Sequence, residues 1–161
     1  MATAPPITIG PARFPDEAEL VRQLFTDYID SLGVDLSFQD VDGELAGLPG
    51  QYASPRGTIL LARDGAGTAV GVVALRPRPS PGACEIKRLY VRPGARQQNV
   101  GRRLAEAIVG AAKTMGYTRA LLDTLPSMQA AQRLYASLGF RPTEPYYPNP
   151  VPGTVYLALD L

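Results

Sequence analysis

Between Lys87 and Arg103 the chain carries six cationic residues, Lys87, Arg88, Arg92, Arg96, Arg102 and Arg103, and no acidic one. The run lies where a strand gives way to a helix. Residues 84 to 91 are rich in β-branched and aromatic side chains, Pro93 and Gly94 break the strand, and from Val100 onward Leu104, Ile108, Ala111 and Met115 recur at helical spacing. A helix starting there presents unpaired N–H groups and the positive end of its dipole. Set among cations, that terminus suits a phosphate-rich ligand. A solvated cationic face, or a patch that neutralises a nucleic-acid backbone, would use the same residue types. Proton chemistry is narrowed by what the chain lacks. It has no histidine, which excludes Ser-His-Asp and Cys-His catalysis and leaves protons to a carboxylate or a tyrosine. Cys84 is the only cysteine, so no internal disulfide framework or multi-cysteine zinc site exists, no metal is expected, and Cys84 reads as a small buried residue.

These residues must be held by one domain, 1–161, since 161 residues with 45% hydrophobic content suffice for an ordinary core. Net charge is only +1, so the basic run is local, offset by acids near the N-terminus and around residues 35 to 44, and no general nucleic-acid coat is indicated. The first residues, MATAPPITIG, lack a basic n-region and a long apolar run, and no 18-residue apolar segment occurs. A cytoplasmic protein with no membrane partner is expected, either monomer or homodimer.

Taken in order, Ile7 to Arg13 alternates weakly as a first strand. Asp16 reads as an N-cap with Glu19 three residues on, followed by Val21, Leu24, Phe25, Tyr28 and Leu32 on one face and a stop at Gly33. A shorter helix is predicted over about 38 to 48, ending at Pro49-Gly50. Thr58 to Arg63 and Ala69 to Leu75 flank Asp64-Gly65-Ala66-Gly67 as a hairpin, and the strand 84 to 91 completes an antiparallel meander. The helix from Val100 to Met115, closed by Gly116, leads to a strand over 120 to 124 that should lie parallel to its predecessor. A helix follows from Pro126, with Ala131, Leu134, Tyr135 and Leu138 inward and Gly139 at its end. Five prolines between 141 and 153 make that region a loop suited to binding, before a last strand over 155 to 161.

Two stretches, KRLYVRPGARQQNVGRRL and AAQRLYASLGF, resemble the GNAT superfamily of acetyl-CoA-dependent N-acetyltransferases. The first is similar to the family's strand followed by a Q/R-x-x-G-x-G/A turn, the second to its late helix ending L-Y-x-x-x-G-F. The order of elements extends the likeness from about residue 7 to 161. The resemblance implies an α/β (α+β) fold: a mixed, mostly antiparallel central sheet of about seven strands, about four helices on its two faces, and a splay between the fourth and fifth strands.

It also implies roles. The turn maps to Arg96, Asn99 where the family usually has glycine, and Gly101. Asparagine tolerates the left-handed backbone a glycine would adopt there. Backbone at Leu89, Tyr90 and Val91 would carry the pantetheine arm, an N–H near Val91 would polarise the thioester carbonyl, and residues Arg96, Gln97, Gln98, Asn99, Val100, Gly101 and Arg102 would cradle the pyrophosphate. Tyr135 stands at the family position for the acid that protonates the departing thiolate. By spacing alone it is a core aromatic. Glu85 stands where some relatives have a base, and strict period two puts it and Lys87 on the strand face of Leu89 and Val91. A paired or exposed strand carboxylate is the plain alternative for Glu85. Met128 replaces an asparagine common in relatives. From loop position, Phe38, Tyr52, Tyr146 and Tyr147 are candidates to line an acceptor pocket.

The expected activity is transfer of an acetyl group from acetyl-CoA, as co-substrate, to a primary amine of a small molecule or peptide, by direct attack in a ternary complex. A coenzyme A-binding module with weak or no catalysis, and a nucleic-acid-binding domain, are the competing readings.

Overall fold

A computed structural model describes residues 6–36 and 39–161, with the side chains of Gln97 and Gln98 set aside. Its described strands form one sheet in the order β1-β2-β3-β4-β5-β7-β6. They are β1 (Thr8–Pro11), β2 (Thr58–Arg63), β3 (Ala69–Pro77), β4 (Ala83–Val91), β5 (Arg119–Thr124), β6 (Arg141–Pro142) and β7 (Val155–Asp160). All neighbours run antiparallel except β4 and β5. Four helices complete the described structure: α1 (Ala18–Leu32), α2 (Val41–Ala46), α3 (Val100–Thr114) and α4 (Gln129–Ser137).

Alternation along the strands makes two cores. Val73 and Leu75 of β3 face α3, packing with Val100, Leu104 and Ile108, and Tyr135 of α4 joins this cluster. Val72 and Ala74 face the other way, onto Val21, Leu24 and Phe25 of α1 and onto Tyr52. Val21, Leu24 and Phe25 are spaced to share one helix face, and each loses essentially all solvent contact. Burial of each contributes roughly 1.5–3 kcal/mol.

The N-terminus of α1 departs from the expected cap. The helix starts at Ala18 after Glu17, with no side-chain cap. Glu17 instead accepts a hydrogen bond from the Arg13 N–H and pairs with Arg63, so the acidic side chain ties the helix to β2. At the other end Gly33 takes the left-handed conformation, φ 66°, that stops the helix. The second predicted helix is trimmed to six residues and followed by a 3-10 turn at Gly50–Tyr52. Gly47 stands at its C-terminal boundary, and glycine costs about 1 kcal/mol in a helix interior. Within the expected loop 141–153, Arg141–Pro142 form a two-residue edge strand on β7, a position that tolerates proline.

Two irregularities prepare the site. In the β3–β4 ladder Lys87 pairs with Ala74 and Tyr90 with Val72, so Arg88 and Leu89 together oppose Val73. That is a β-bulge, and Arg88 carries its left-handed backbone, φ 63°. The second is the end of the parallel pairing at Glu85 and Leu121, beyond which β4 and β5 continue without a ladder between them.

Candidate active site

The split between β4 and β5 opens a cleft. Its walls are Ile86, Lys87, Arg88 and Leu89 from β4 and Asp123 and Thr124 from β5, closed from α1 by Tyr28 and Leu32 and from α4 by Ala131 and Tyr135. Met128, at the N-terminal boundary of α4, also lines it.

At the C-terminal end of β4 a 3-10 turn, Pro93–Gln98, leads into α3 through Asn99. Asn99 holds φ 61° and ψ 23°, the left-handed conformation expected of it. The first intrahelical bond runs from Arg103 N–H to Asn99 O, which leaves the amides of Val100, Gly101 and Arg102 without intrahelical acceptors. A Cβ at Gly101 would meet nothing closer than Val91 Cγ2 at 3.7 Å. Internal packing therefore does not require glycine here, whereas close approach of a ligand to the helix terminus does. The terminus fits a pyrophosphate by this test. The neighbouring arginines are tethered: Arg96 donates to Val91 O at 3.0 Å, and Arg102 donates to Ser137 Oγ at 2.9 Å.

Tyr135 is the aromatic that α4 brings to the cleft. Its ring packs edge-on against Phe140, 5.5 Å between centroids, and burial is the main cause that raises its pKa, with Tyr28 and Asp123 adding to the rise. It therefore keeps its proton at neutral pH. Among the described residues its hydroxyl has no hydrogen-bond partner, while its side chain is 6% exposed and lines the cleft.

Glu85 is completely buried. Oε1 accepts from Arg76 Nε at 2.9 Å and lies 3.7 Å from Arg78, and Oε2 accepts from the Tyr146 hydroxyl at 2.7 Å. Desolvation pushes its pKa up, but Lys87, Arg76 and the Tyr146 hydrogen bond outweigh that and leave it below the ordinary carboxylate value. The expected sharing of one strand face by Glu85, Lys87, Leu89 and Val91 is corrected. Leu89 and Val91 pack into the α3 core, whereas Glu85 and Lys87 pair with Arg76 and Ala74 on the α1 side. The bulge at Arg88 adds one residue and inverts the alternation.

The tyrosines of the 141–153 region reach this second face. Tyr146 bonds Glu85, and Tyr147 donates to Asp123 Oδ2 at 2.5 Å and accepts from Asn149 Nδ2 at 2.9 Å. Tyr52 sits elsewhere. It donates to Glu44 at 3.0 Å and borders a neighbouring cleft with Gln39 and Arg76. Glu44 also receives both Nε and a terminal nitrogen of Arg88, so this buried fork ties α2 to the bulge. Phe38 lies outside the described residues, as do the side chains of Gln97 and Gln98.

Residues 19–140 match the acetyltransferase (GNAT) family. The chain belongs to the GNAT family. An uncharacterized N-acetyltransferase of Schizosaccharomyces pombe is 44% identical over 155 residues, 96% of this chain and 95% of its own length. A GNAT-family acetyltransferase from Staphylococcus aureus has the same fold, TM-score 0.78 at 18% identity, covering 96% of this chain and 99% of that one. A Salmonella typhimurium protein solved with its cofactor acetyl-CoA has TM-score 0.71 at 19% identity, covering 96% and 93%.

Within this GNAT site three groups escaped the sequence reading. Asp123 was an available signal, the only charged residue in the interior of the run Arg119–Thr124. Tyr28, which lines the cleft and has its pKa pushed up to about 12 chiefly by burial, had been counted only as part of a helix face. Arg76, the closest cation to Glu85, sits nine residues before it on the neighbouring strand and carries no motif. No described helix is long and apolar enough to cross a membrane.

Proposed function

We propose that the protein is an acetyl-CoA-dependent N-acetyltransferase in which a bound primary amine attacks the thioester directly. The observation that carries the reading is the cleft itself: one split between β4 and β5, lined by Tyr135, whose hydroxyl has no hydrogen-bond partner among the described residues, on the strand that leads through one turn to the open N-terminus of α3. Acetyl-CoA, when bound, supplies a thioester whose C–S bond breaks as the C–N bond to the amine forms, without an acetyl group resting on the protein.

The residues divide that work. Amides of Val100, Gly101 and Arg102 hold the pyrophosphate at the positive end of α3. Beyond Glu85, β4 has no strand partner on the β5 side, and its free edge at Leu89, Tyr90 and Val91 takes the pantetheine arm as an added strand. Tyr135 gives its proton to the departing sulfur, a transfer worth about 10²–10⁴ in rate for a well-placed acid. Cys84 takes no part: it is buried, its thiol pKa is pushed up to about 12 by burial, and it sits on the α3 side. Glu85 receives the amine's proton only by relay through Tyr146, because both of its oxygens are already engaged. Tyr146 and Tyr147 border the acceptor.

The test is acetyl-CoA-dependent thiol release by the purified protein over a broad amine panel. Release with at least one primary amine, with stoichiometric acetylated product, is the expected result. Tight binding of coenzyme A with no release above background for any amine would leave a coenzyme A-binding module instead.

A further inference from the structure

The parallel ladder ends at Glu85 and Leu121. Two residues further along each strand come Lys87 and Asp123, in equivalent register on the same face of the sheet. Opposite charges so placed would ordinarily pair. Here the splay holds them on facing walls of one cleft, and no ion pair joins them.

Each has hydrogen-bonding capacity left over, Lys87 as a buried group and Asp123 as a half-buried one. Lys87 is 7% exposed, and among the described residues its ammonium makes a single hydrogen bond, to Gln39 Oε1 at 3.2 Å. Three donors on a desolvated ammonium call for more than one amide oxygen. Its carboxylate neighbour, Glu85, already serves Arg76 and lies 3.7 Å from Arg78, so three cations share one anion there. The remaining cation of this wall, Arg88, is satisfied by Glu44. Opposite, Asp123 uses Oδ2 for Tyr147, and no described residue hydrogen-bonds Oδ1. Beside it Thr124 Oγ1 is the one buried side-chain polar atom among the described residues without a partner. Thr124 is 5% exposed and lines the same cleft.

We propose that the acceptor is a small amino acid-type molecule, carrying an amine and a carboxylate together, that closes this open ion pair. Its carboxylate binds Lys87 and its ammonium binds Asp123, with Thr124 Oγ1 completing the polar wall. The amine so held lies on the cleft that Tyr135 also lines. Selectivity follows from charge. A simple alkylamine leaves the Lys87 ammonium buried and unpaired, and a polyamine brings further cations to a wall that already has them in excess.

This assignment rests on the acetyl-transfer reading for its consequence, but binding tests it separately. Free amino acids, their carboxamides and their decarboxylated amines are titrated calorimetrically into the coenzyme A-saturated protein. At least one free amino acid is expected to bind about tenfold to hundredfold more tightly than its own carboxamide. Lys87→Met should remove that preference, and Asp123→Asn should weaken the free acid and its carboxamide alike. The wild-type comparison stands alone should either variant fail to fold. Equal affinity for acid and carboxamide, or no amino acid bound, overturns the proposal. Thiol release is then measured with the same compounds: acceptance of plain amines but not amino acids sinks this assignment while leaving acetyl transfer intact, and amino acid binding without release sinks acetyl transfer alone.

Discussion

The two halves of the candidate site are built from different materials. At the α3 end the candidate contacts are main-chain amides at the start of a helix and the unpaired edge of a strand, backed by the apolar α3 core. At the other end they are side chains: Lys87 from β4 and Asp123 from β5 line the cleft, and behind them stand Glu85, Arg76 and the loop tyrosines Tyr146 and Tyr147. Main-chain contacts survive substitution so long as the backbone keeps its path. Side-chain networks do not, because each partner removed leaves a buried charge behind. The first end suits a ligand common to many relatives, and the second suits one particular to this chain.

Variants can strain this contrast. The largest effect is expected at Tyr135→Phe, which should lower turnover by about 10²–10⁴ while leaving acetyl-CoA affinity unchanged. Undiminished turnover would return Tyr135 to the core. Next is Glu85→Gln, which leaves Arg76 and Lys87 without their buried anion and should cost roughly 3–5 kcal/mol in denaturant unfolding at neutral pH. The sign of its pH dependence is fixed. The folded-state pKa of Glu85 is depressed below 4.5, so its stabilisation is complete above the unfolded value and is lost as pH falls through the depressed one. The wild-type protein should therefore lose more stability than the variant on acidification below about pH 4.5. A parallel decline in both would remove Glu85 from the account.

Gly101→Glu places bulk and negative charge at the helix terminus, and should weaken acetyl-CoA binding by about a hundredfold with the fold intact by circular dichroism. An unaltered dissociation constant would mean that the terminus is not the phosphate site. The smallest effect belongs to Asn99→Gly. The backbone there is already left-handed, so relief of strain and the added freedom of the unfolded chain nearly cancel, within about 1 kcal/mol. Acetyl-CoA affinity should stay the same. A large change in affinity would show that the Asn99 side chain, not the main chain, carries binding.

The same contrast explains what could be read without a structure. The hairpin of β2 and β3 and the α3 stripe of Leu104 and Ile108 follow from local rules acting over a few residues, the left-handed Asn99 follows from its place in the family's turn, and all emerged as expected. The acceptor side needed information no local rule contains. Period two assigned Glu85 to the face of Leu89 because a bulge leaves no mark in RLYV; Arg88 has φ 63°, and its guanidinium forks onto Glu44 of another element. Likewise the cap at Asp16 was displaced by a tertiary pairing of Glu17 with Arg63, 46 residues away. Asp123 and Lys87 become neighbours only because two strands pair for three residues and then separate.

Tyr146 and Tyr147 are consecutive in the chain, yet one reaches the carboxylate on β4 and the next the carboxylate on β5. Their rings also brace each other and Tyr156, at centroid distances of 5.4 to 5.8 Å. The mouth of the split is thus spanned by a strut of rigid aromatic rings where a ladder of backbone hydrogen bonds has stopped. The gap between the strands is gauged from outside the sheet, by two consecutive loop residues whose hydroxyls reach one strand each and whose rings are fixed by mutual packing.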